Sequence, residues 1–306
     1  MFKHKRIVAV ILFIVSWSYL IFKLCTYDEY YLLFSKLTQL DAVNYLFLLL
    51  ILLLMPLNLL LEVIKWHISV NYVERQSFYK SFKQVILGNA GAFITPYRLG
   101  EHPSRAYYLD DKKNFFAAVV LGFVGSLALE IINVGLGLPA AFFYFLDAKY
   151  STLLVFYLLV LAFVLILFIF IPDLGNLLSK RPTRNEQTKT MLETVCSFNT
   201  AYLLKILFLS LLRYLVYSLQ FYLALRFFDI TLNPLQALIA IPTYYMLVSV
   251  TPSLPIADAA IRGSWGILVF QAFTYDTPSI AFAAVMIWLI NTALPLIAVP
   301  FLRKDY

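Results

Sequence analysis

Long, nearly uncharged apolar stretches dominate the chain, and they run continuously instead of alternating. Residues 7–22, 45–64, 115–138, 151–171, 207–228 and 280–302 each approach the length that an α-helix needs to cross a bilayer, about 20 residues. Continuity over such lengths predicts membrane helices, since barrel strands alternate in short segments. The first run follows Lys3, Lys5 and Arg6, and no small-residue cleavage site comes after it, so it reads as an uncleaved anchor. Two further apolar segments fall short of spanning. Residues 85–94 stop at Thr95-Pro96, and residues 235–250 and 259–273 are separated by Thr251-Pro252 and Pro255. Proline removes a backbone donor and breaks a helix. Short arms interrupted in this way predict re-entrant hairpins over 85–109 and 235–273. Two short spans would serve the second segment equally well.

The expected fold is therefore an all-α polytopic membrane protein, with about six full transmembrane helices and two re-entrant hairpins. It forms a single integral membrane domain over residues 1–306. One half covers about 43–171, the other about 203–302, and the polar loop 173–205 lies between them.

Composition sharpens this picture. Of 306 residues 62% are hydrophobic and only 13% charged, against roughly 45–50% and about 25% in soluble domains. Two cysteines exclude a disulfide scaffold, and Cys25 and Cys196 fall at opposite sides of the membrane. The net charge of +7 is read by side, and nothing calls for nucleic acid. Lys3, Lys5 and Arg6 put the N-terminus in the cytoplasm. Asp28, Glu29 and Asp41 against Lys36 place 27–41 outside. Lys65, Arg75, Lys80 and Lys83 are read as an inside loop, as are Lys180, Arg181, Arg184 and Lys189. Arg303 and Lys304 put the C-terminus inside. This agreement requires 85–109 and 235–273 each to leave the membrane on the side it enters. Residues 188–201 have the pattern of a short amphipathic helix; Tyr244 and Tyr245 could line the second hairpin but, among 21 tyrosines, read as interfacial anchors.

The two hairpins repeat one motif. Thr95-Pro96 leads to Arg98, Gly100, Glu101 and then Arg105; Thr251-Pro252 leads to Pro255, Asp258 and then Arg262. Each shows Thr-Pro, a spacer, an acid and an arginine four residues later, so the halves read as an inverted repeat. Interrupted segments at corresponding positions point to a transporter binding site. Guanidinium matches phosphate oxygens, which makes Arg98, Arg105 and Arg262 candidates for anion binding. Glu101 and Asp258 would orient the arginines and compete with the anion. Alternatively, Glu101–Arg105 and Asp258–Arg262 are closed pairs that staple the hairpins. Arg98, with no evident partner, is the expected open site.

Polar residues at membrane depth need a reason, because each charge costs about 2.5–3.5 kcal/mol on insertion scales. Gly122, Ser126, Glu130, Asn133 and Gly137 share one helix face, and Ser210, Arg213, Tyr217 and Gln220 share another. Either Glu130 and Arg213 pair and fix register, or Arg213 holds a lipid phosphate while Glu130 carries a coupling proton or cation. The three histidines, His4, His67 and His102, are scattered, so no metal site and no cofactor is expected. Asp110-Asp111 is followed by Lys112 and Lys113 and reads as an interfacial charge run. No nucleotide loop or catalytic residue stands out.

At Thr95-Pro96-x-Arg98-x-Gly100-Glu101, with Arg105 beyond, the chain resembles the membrane region of lysylphosphatidylglycerol synthases, the flippase half of the multiple peptide resistance factor, and its stand-alone relatives. The resemblance covers nearly the whole chain. It implies two re-entrant hairpins in an inverted repeat and movement of lipids between leaflets. Pro96, Gly100, Glu101 and Arg105 match in the first half; Pro252, Asp258, Arg262 and Gly263 correspond in the second. The arginine that often follows the family's intramembrane glutamate is absent, Ile131 standing after Glu130. The soluble synthase domain is absent from the sequence. The expected function is ATP-independent movement of an anionic or phosphate-bearing lipid in a bacterial-type cell membrane, with membrane lipids and a separate lipid-modifying enzyme as partners. A polyprenyl-phosphate-dependent transferase, or a non-catalytic partner of a separate synthase, are the alternatives.

Overall fold

Capping side chains and apolar runs together set where the helices start. In the computed structural model, which describes residues 14, 17–26, 30–145, 151–180, 185–252 and 255–302, every regular element is helical. Residues 17–25 form α1, followed by α2 (Tyr30–Thr38). Asp41 then opens α3 (Ala42–Val70), its carboxylate accepting from the Val43 and Asn44 N–H groups while Asn44 caps in return. Ser77 caps α4 (Phe78–Ile94), which a break separates from α5 (Glu101–Tyr107). Next come α6 (Phe115–Phe145), α7 (Ser151–Ile169), α8 (Ile171–Ser179) and α9 (Glu186–Cys196). Asn199 caps α10 (Thr200–Phe227), and Asn233 caps α11 (Pro234–Val250). After α12 (Pro255–Phe270), Asp276 caps α13 (Thr277–Trp288), which runs into a π turn at Leu289–Ala293.

Four continuous helical stretches are long and apolar enough to span a membrane: Ala42–Val70, Lys112–Phe145, Thr200–Phe227 and Thr277–Leu302. The pair α7–α8 makes a fifth if its 57° bend lies within one span. These five match the runs expected from residue 45 onward. Most of the first run lies outside the described residues, as do Lys3, Lys5, Arg6, Asp28, Glu29, Arg181, Arg184, Arg303 and Lys304. The polar loop contains α9, as its pattern predicted, and Cys25 and Cys196 are free thiols.

The most extensive packing is α6 against α11 and α3 against α10. Between them lies an aromatic core in which Phe221 stacks on Tyr244 at 4.5 Å and Tyr217 meets Tyr245 at 4.5 Å. Tyr244 and Tyr245 are therefore buried core residues, not interfacial anchors. Their rings supply large apolar contact, and the Tyr245 hydroxyl donates to the Tyr217 carbonyl at 2.9 Å.

The α4–α5 segment is an antiparallel hairpin. The Gln84 amide donates to the Tyr108 carbonyl at 3.2 Å, while Gly91 lies against Ser104 and Gly100 nearer the tip. A Cβ on Gly91 would sit 2.0 Å from Ser104 Oγ and 2.7 Å from the Gly100 carbonyl oxygen, so glycine is required for the arms to approach. At the tip Thr95 is extended, and Tyr97 and Arg98 both have left-handed φ values, 56° and 58°. The hairpin starts earlier than expected, at Phe78, because Ser77 caps there. Lys80 and Lys83 thus lie on α4 and not in a loop. Lys65 also departs from expectation: it is buried within α3.

A polar latch closes the base of this hairpin. Glu74 accepts from the Asp110 and Asp111 N–H groups at 3.2 and 3.1 Å and from Lys80 at 3.1 Å, and Lys80 also reaches Asp110 at 2.8 Å. Burial would raise the Glu74 carboxyl, but these backbone and ammonium donors outweigh it and hold it below its ordinary 4.5. A depressed carboxylate stabilises the fold above its ordinary value, and that contribution disappears as pH falls through the lower folded-state value. Thermal unfolding in detergent should show this acid loss in wild type. Glu74→Gln should lower the midpoint at pH 7 by about 2–4 °C and flatten the acid dependence. Superimposable acid profiles would contradict the latch.

Candidate functional site

The first helix of membrane length, α3, carries Asn58, Glu62 and Lys65 at spacings of four and three on one face. Glu62 is only 4% exposed. Its Oε1 accepts from Arg105 Nη1 at 2.7 Å, while Oε2 accepts from Arg213 and contacts Lys65 Nζ at 2.9 Å. From Arg105 the network continues into the hairpin: Nη2 donates to Glu101 Oε1 at 2.5 Å. Glu101 Oε2 in turn accepts from Arg98 Nε and Nη2 at 3.1 and 2.9 Å.

A neutral relay leaves the other end of this network. Arg213 Nε donates to Asn58 Oδ1 at 2.8 Å, Asn58 donates to Asn291 at 3.0 Å, and Asn291 donates to Gln220 at 3.0 Å. Gln220 closes the chain on the Ile51 carbonyl at 3.0 Å. Asn291 lies in the π turn, a local distortion of the kind often found at functional sites.

The second hairpin repeats several features of the first. Thr251, like Thr95, is extended at the end of its arm. Both threonine hydroxyls donate back to the carbonyl four residues earlier, Thr95 to Gly91 at 2.7 Å and Thr251 to Leu247 at 2.5 Å. Each also accepts from across the break, Thr95 from the Gly100 N–H at 2.8 Å and Thr251 from Trp265 Nε1 at 2.9 Å. Pro255 opens α12. Arg262 Nε then donates to Asp258 Oδ2 at 3.2 Å.

A cavity of about 600 Å³ lies where the hairpin tips meet α3, α6, α10 and the segment after α13. Arg98, Glu101, Arg213, Asp258 and Arg262 line it, and so do Glu130, Thr251 and Pro252. Most of the charged residues singled out in the sequence thus meet in one space. Arg105 does not line it; it is 2% exposed, enclosed behind the wall between Glu62 and Glu101. Thr95 and Gly100 instead shape the tip: a Cβ on Gly100 would lie 2.6 Å from the Gly91 carbonyl oxygen and 2.8 Å from Thr95. Pro96 begins the tip's single 3-10 turn.

Two expectations change. Arg98 is not an unpaired open arginine, since Glu101 holds it, although 48% of its side chain stays exposed. Glu130 and Arg213 do not pair. Arg213 goes to Glu62 and Asn58, and Glu130 Oε1 accepts from Ser249 Oγ at 2.7 Å. Along their helix faces Ser126, Asn133 and Tyr217 also line the cavity, whereas Gly137 packs on α11 and Gln220 is fully buried. Glu62, Asn58 and Asn291 were missed. The 58–62–65 spacing was the available signal, hidden because Lys65 was read only as a marker of membrane side. His102 joins the site too, sharing a 3.0 Å hydrogen bond with Ser126.

Among the described residues no group of three or more histidine, cysteine or acidic side chains is placed to hold a metal. Asp110 and Asp111 belong to the latch, where the Asp111 carboxylate accepts from the Lys113 N–H at 2.9 Å.

Fold and site define a class: a multi-pass helical membrane protein with a charged cavity at the meeting point of two helical hairpins. The lysylphosphatidylglycerol synthase TM region family matches residues 7–299, and the chain belongs to that family. No curated protein and no solved structure matches the chain.

Removing one partner of a buried ion pair costs about 3–5 kcal/mol, because the other charge stays buried without compensation. Arg105→Ala should therefore lose folded protein and thermal stability, measured by size-exclusion yield and unfolding in detergent. Arg262→Ala, whose partner faces the cavity, should keep both. Equal stability of the two variants would contradict this division.

Proposed function

We propose that this protein is an ATP-independent lipid transporter of flippase type, moving an anionic or phosphate-bearing lipid between the leaflets of a bacterial-type cell membrane. One observation carries the reading: two separate hairpins each deliver an acid–arginine pair, Arg98 with Glu101 and Asp258 with Arg262, to the same cavity. Membership of a family named for a lipid-linked membrane region supports it.

The chemistry follows from the pairs. Arg262 spends its Nε on Asp258, and both side chains remain partly exposed, 22% and 16%. Guanidinium nitrogens there can take phosphate oxygens, and the carboxylate competes for the same donors, which favours release. Arg98 offers the same arrangement from the opposite tip. A cavity of about 600 Å³ admits a headgroup, while acyl chains remain in the surrounding lipid. In this account the hairpins are the re-entrant arms of an inverted repeat, both termini are cytoplasmic, and membrane lipids are the ligand. A separate lipid-modifying enzyme would supply or consume the lipid. A transferase reading gains no comparable support, because Asp110 and Asp111 are engaged in the hairpin latch.

The test is translocation of a fluorescent phosphatidylglycerol in proteoliposomes. Loss of one charge-assisted hydrogen bond, about 1.5–3 kcal/mol, lowers a rate by at least about tenfold. Arg98→Ala and Arg262→Ala should each show that loss with folded protein retained. Wild-type rates in both variants would overturn the site.

A further inference from the structure

We infer that Glu130 binds and releases one proton in each transport cycle, so that lipid movement is driven by a proton gradient. The inference deepens the transporter reading above and rests on it. Four carboxylates line the cavity, and three of them are committed to arginines: Glu62, Glu101 and Asp258. Protonating any of those would leave a guanidinium without its counter-charge. Glu130 differs, because among the described residues it has no ion pair and its partner is the Ser249 hydroxyl. It can gain or lose a proton without stranding a neighbour.

Ser249 is placed for both states. Its single hydroxyl proton has two acceptors in reach, Glu130 Oε1 at 2.7 Å and the Met246 carbonyl at 3.0 Å. With Glu130 ionised, the hydroxyl donates to the carboxylate. With Glu130 protonated, the carboxyl O–H donates to Ser249 Oγ and the hydroxyl turns to Met246. Each state satisfies every donor with no movement of heavy atoms, so the partly buried pair tolerates both.

The surroundings link that proton to an anion. From α3 come Glu62 and Lys65, and from the first hairpin Arg98, Glu101 and His102. From α10 come Arg213 and Tyr217; α11 adds Tyr245; α12 adds Asp258 and Arg262. On elements packed against α6 but outside the cavity, Arg105 is enclosed by two carboxylates and the Tyr157 hydroxyl is closed on the Val134 and Gly135 carbonyls. Lys112 donates to the Leu109 carbonyl, and Lys189 and Glu193 of α9 face outward. With histidine neutral and Arg105 included, five cations face four carboxylates, a net charge of one positive. Protonating Glu130 makes it two. An anionic headgroup therefore binds more tightly to the protonated cavity, and by reciprocity the headgroup favours proton uptake. The proton is taken from water on one side with the lipid and returned to water on the other. Nothing is oxidised or reduced.

The experiment uses the full chain in proteoliposomes with fluorescent phosphatidylglycerol and an imposed difference of one pH unit. One proton per lipid should enrich the probe in the leaflet facing the alkaline side, up to about tenfold. Glu130→Gln should move the probe but leave the leaflets equal. Ser249→Ala keeps the Glu130 carboxyl, so in that variant the gradient should still drive enrichment. Enrichment by Glu130→Gln would overturn the assignment to Glu130. A wild type that moves lipid without regard to the gradient would overturn coupling and leave the transporter standing. A wild type that moves no lipid would overturn the transporter reading and coupling with it.

Discussion

Three cations converge on one buried carboxylate, and the architecture of the first half depends on that meeting. Glu62 holds Arg105 from the hairpin, Arg213 from α10 and Lys65 from its own helix. Desolvating so many charges costs several kcal/mol per ion, and the cost is offset only when all of them are satisfied together. The network therefore ties hairpin, α3 and α10 into one unit. Through Asn58 and Asn291 the same unit reaches the π turn beyond α13.

The two hairpins differ in how firmly they are held. Arg105 is locked on both sides, and Gly91 lets the arms of the first hairpin touch. At its tip, Tyr97 and Arg98 keep left-handed backbones that cost of order 1–3 kcal/mol each. A rigid arm presenting Arg98 into the cavity is what that strain secures. Among the described residues the second hairpin has one acid–arginine contact, at 3.2 Å and partly exposed. It is the less tightly bonded of the two walls.

Much of this was legible in the sequence, for definite reasons. Thr-Pro breaks and i,i+4 acid–arginine pairs are local features, and the fold kept both hairpins and the Glu101–Arg105 and Asp258–Arg262 contacts. The four helices of membrane length, and the bent α7–α8 pair, announced themselves by length and apolarity. What the sequence hid were long-range partners. Locally too, Arg98 and Glu101 are three residues apart, yet the pattern does not show that the left-handed tip closes them on each other. Glu130 and Arg213 lie on polar stripes of their helices, yet Arg213 is held by Glu62 of α3 and Glu130 by Ser249 of α11. Glu62 falls within the apolar run 45–64 and Lys65 reads as an inside-loop charge just past it, whereas α3 continues to Val70. Tyr244 and Tyr245 resembled interfacial anchors by type alone, and packing put them in the core.

The central claim is that the cavity holds a phosphate-bearing lipid through the arginines of both hairpin tips. Mass spectrometry of lipids that co-purify with wild type and with the Arg98→Ala/Arg262→Ala double variant tests it most directly. The account predicts one phosphate-bearing lipid enriched over the membrane average in wild type and lost from a folded double variant. Membrane-average lipid in both preparations would contradict it, and would leave the two tip arginines as staples of the fold.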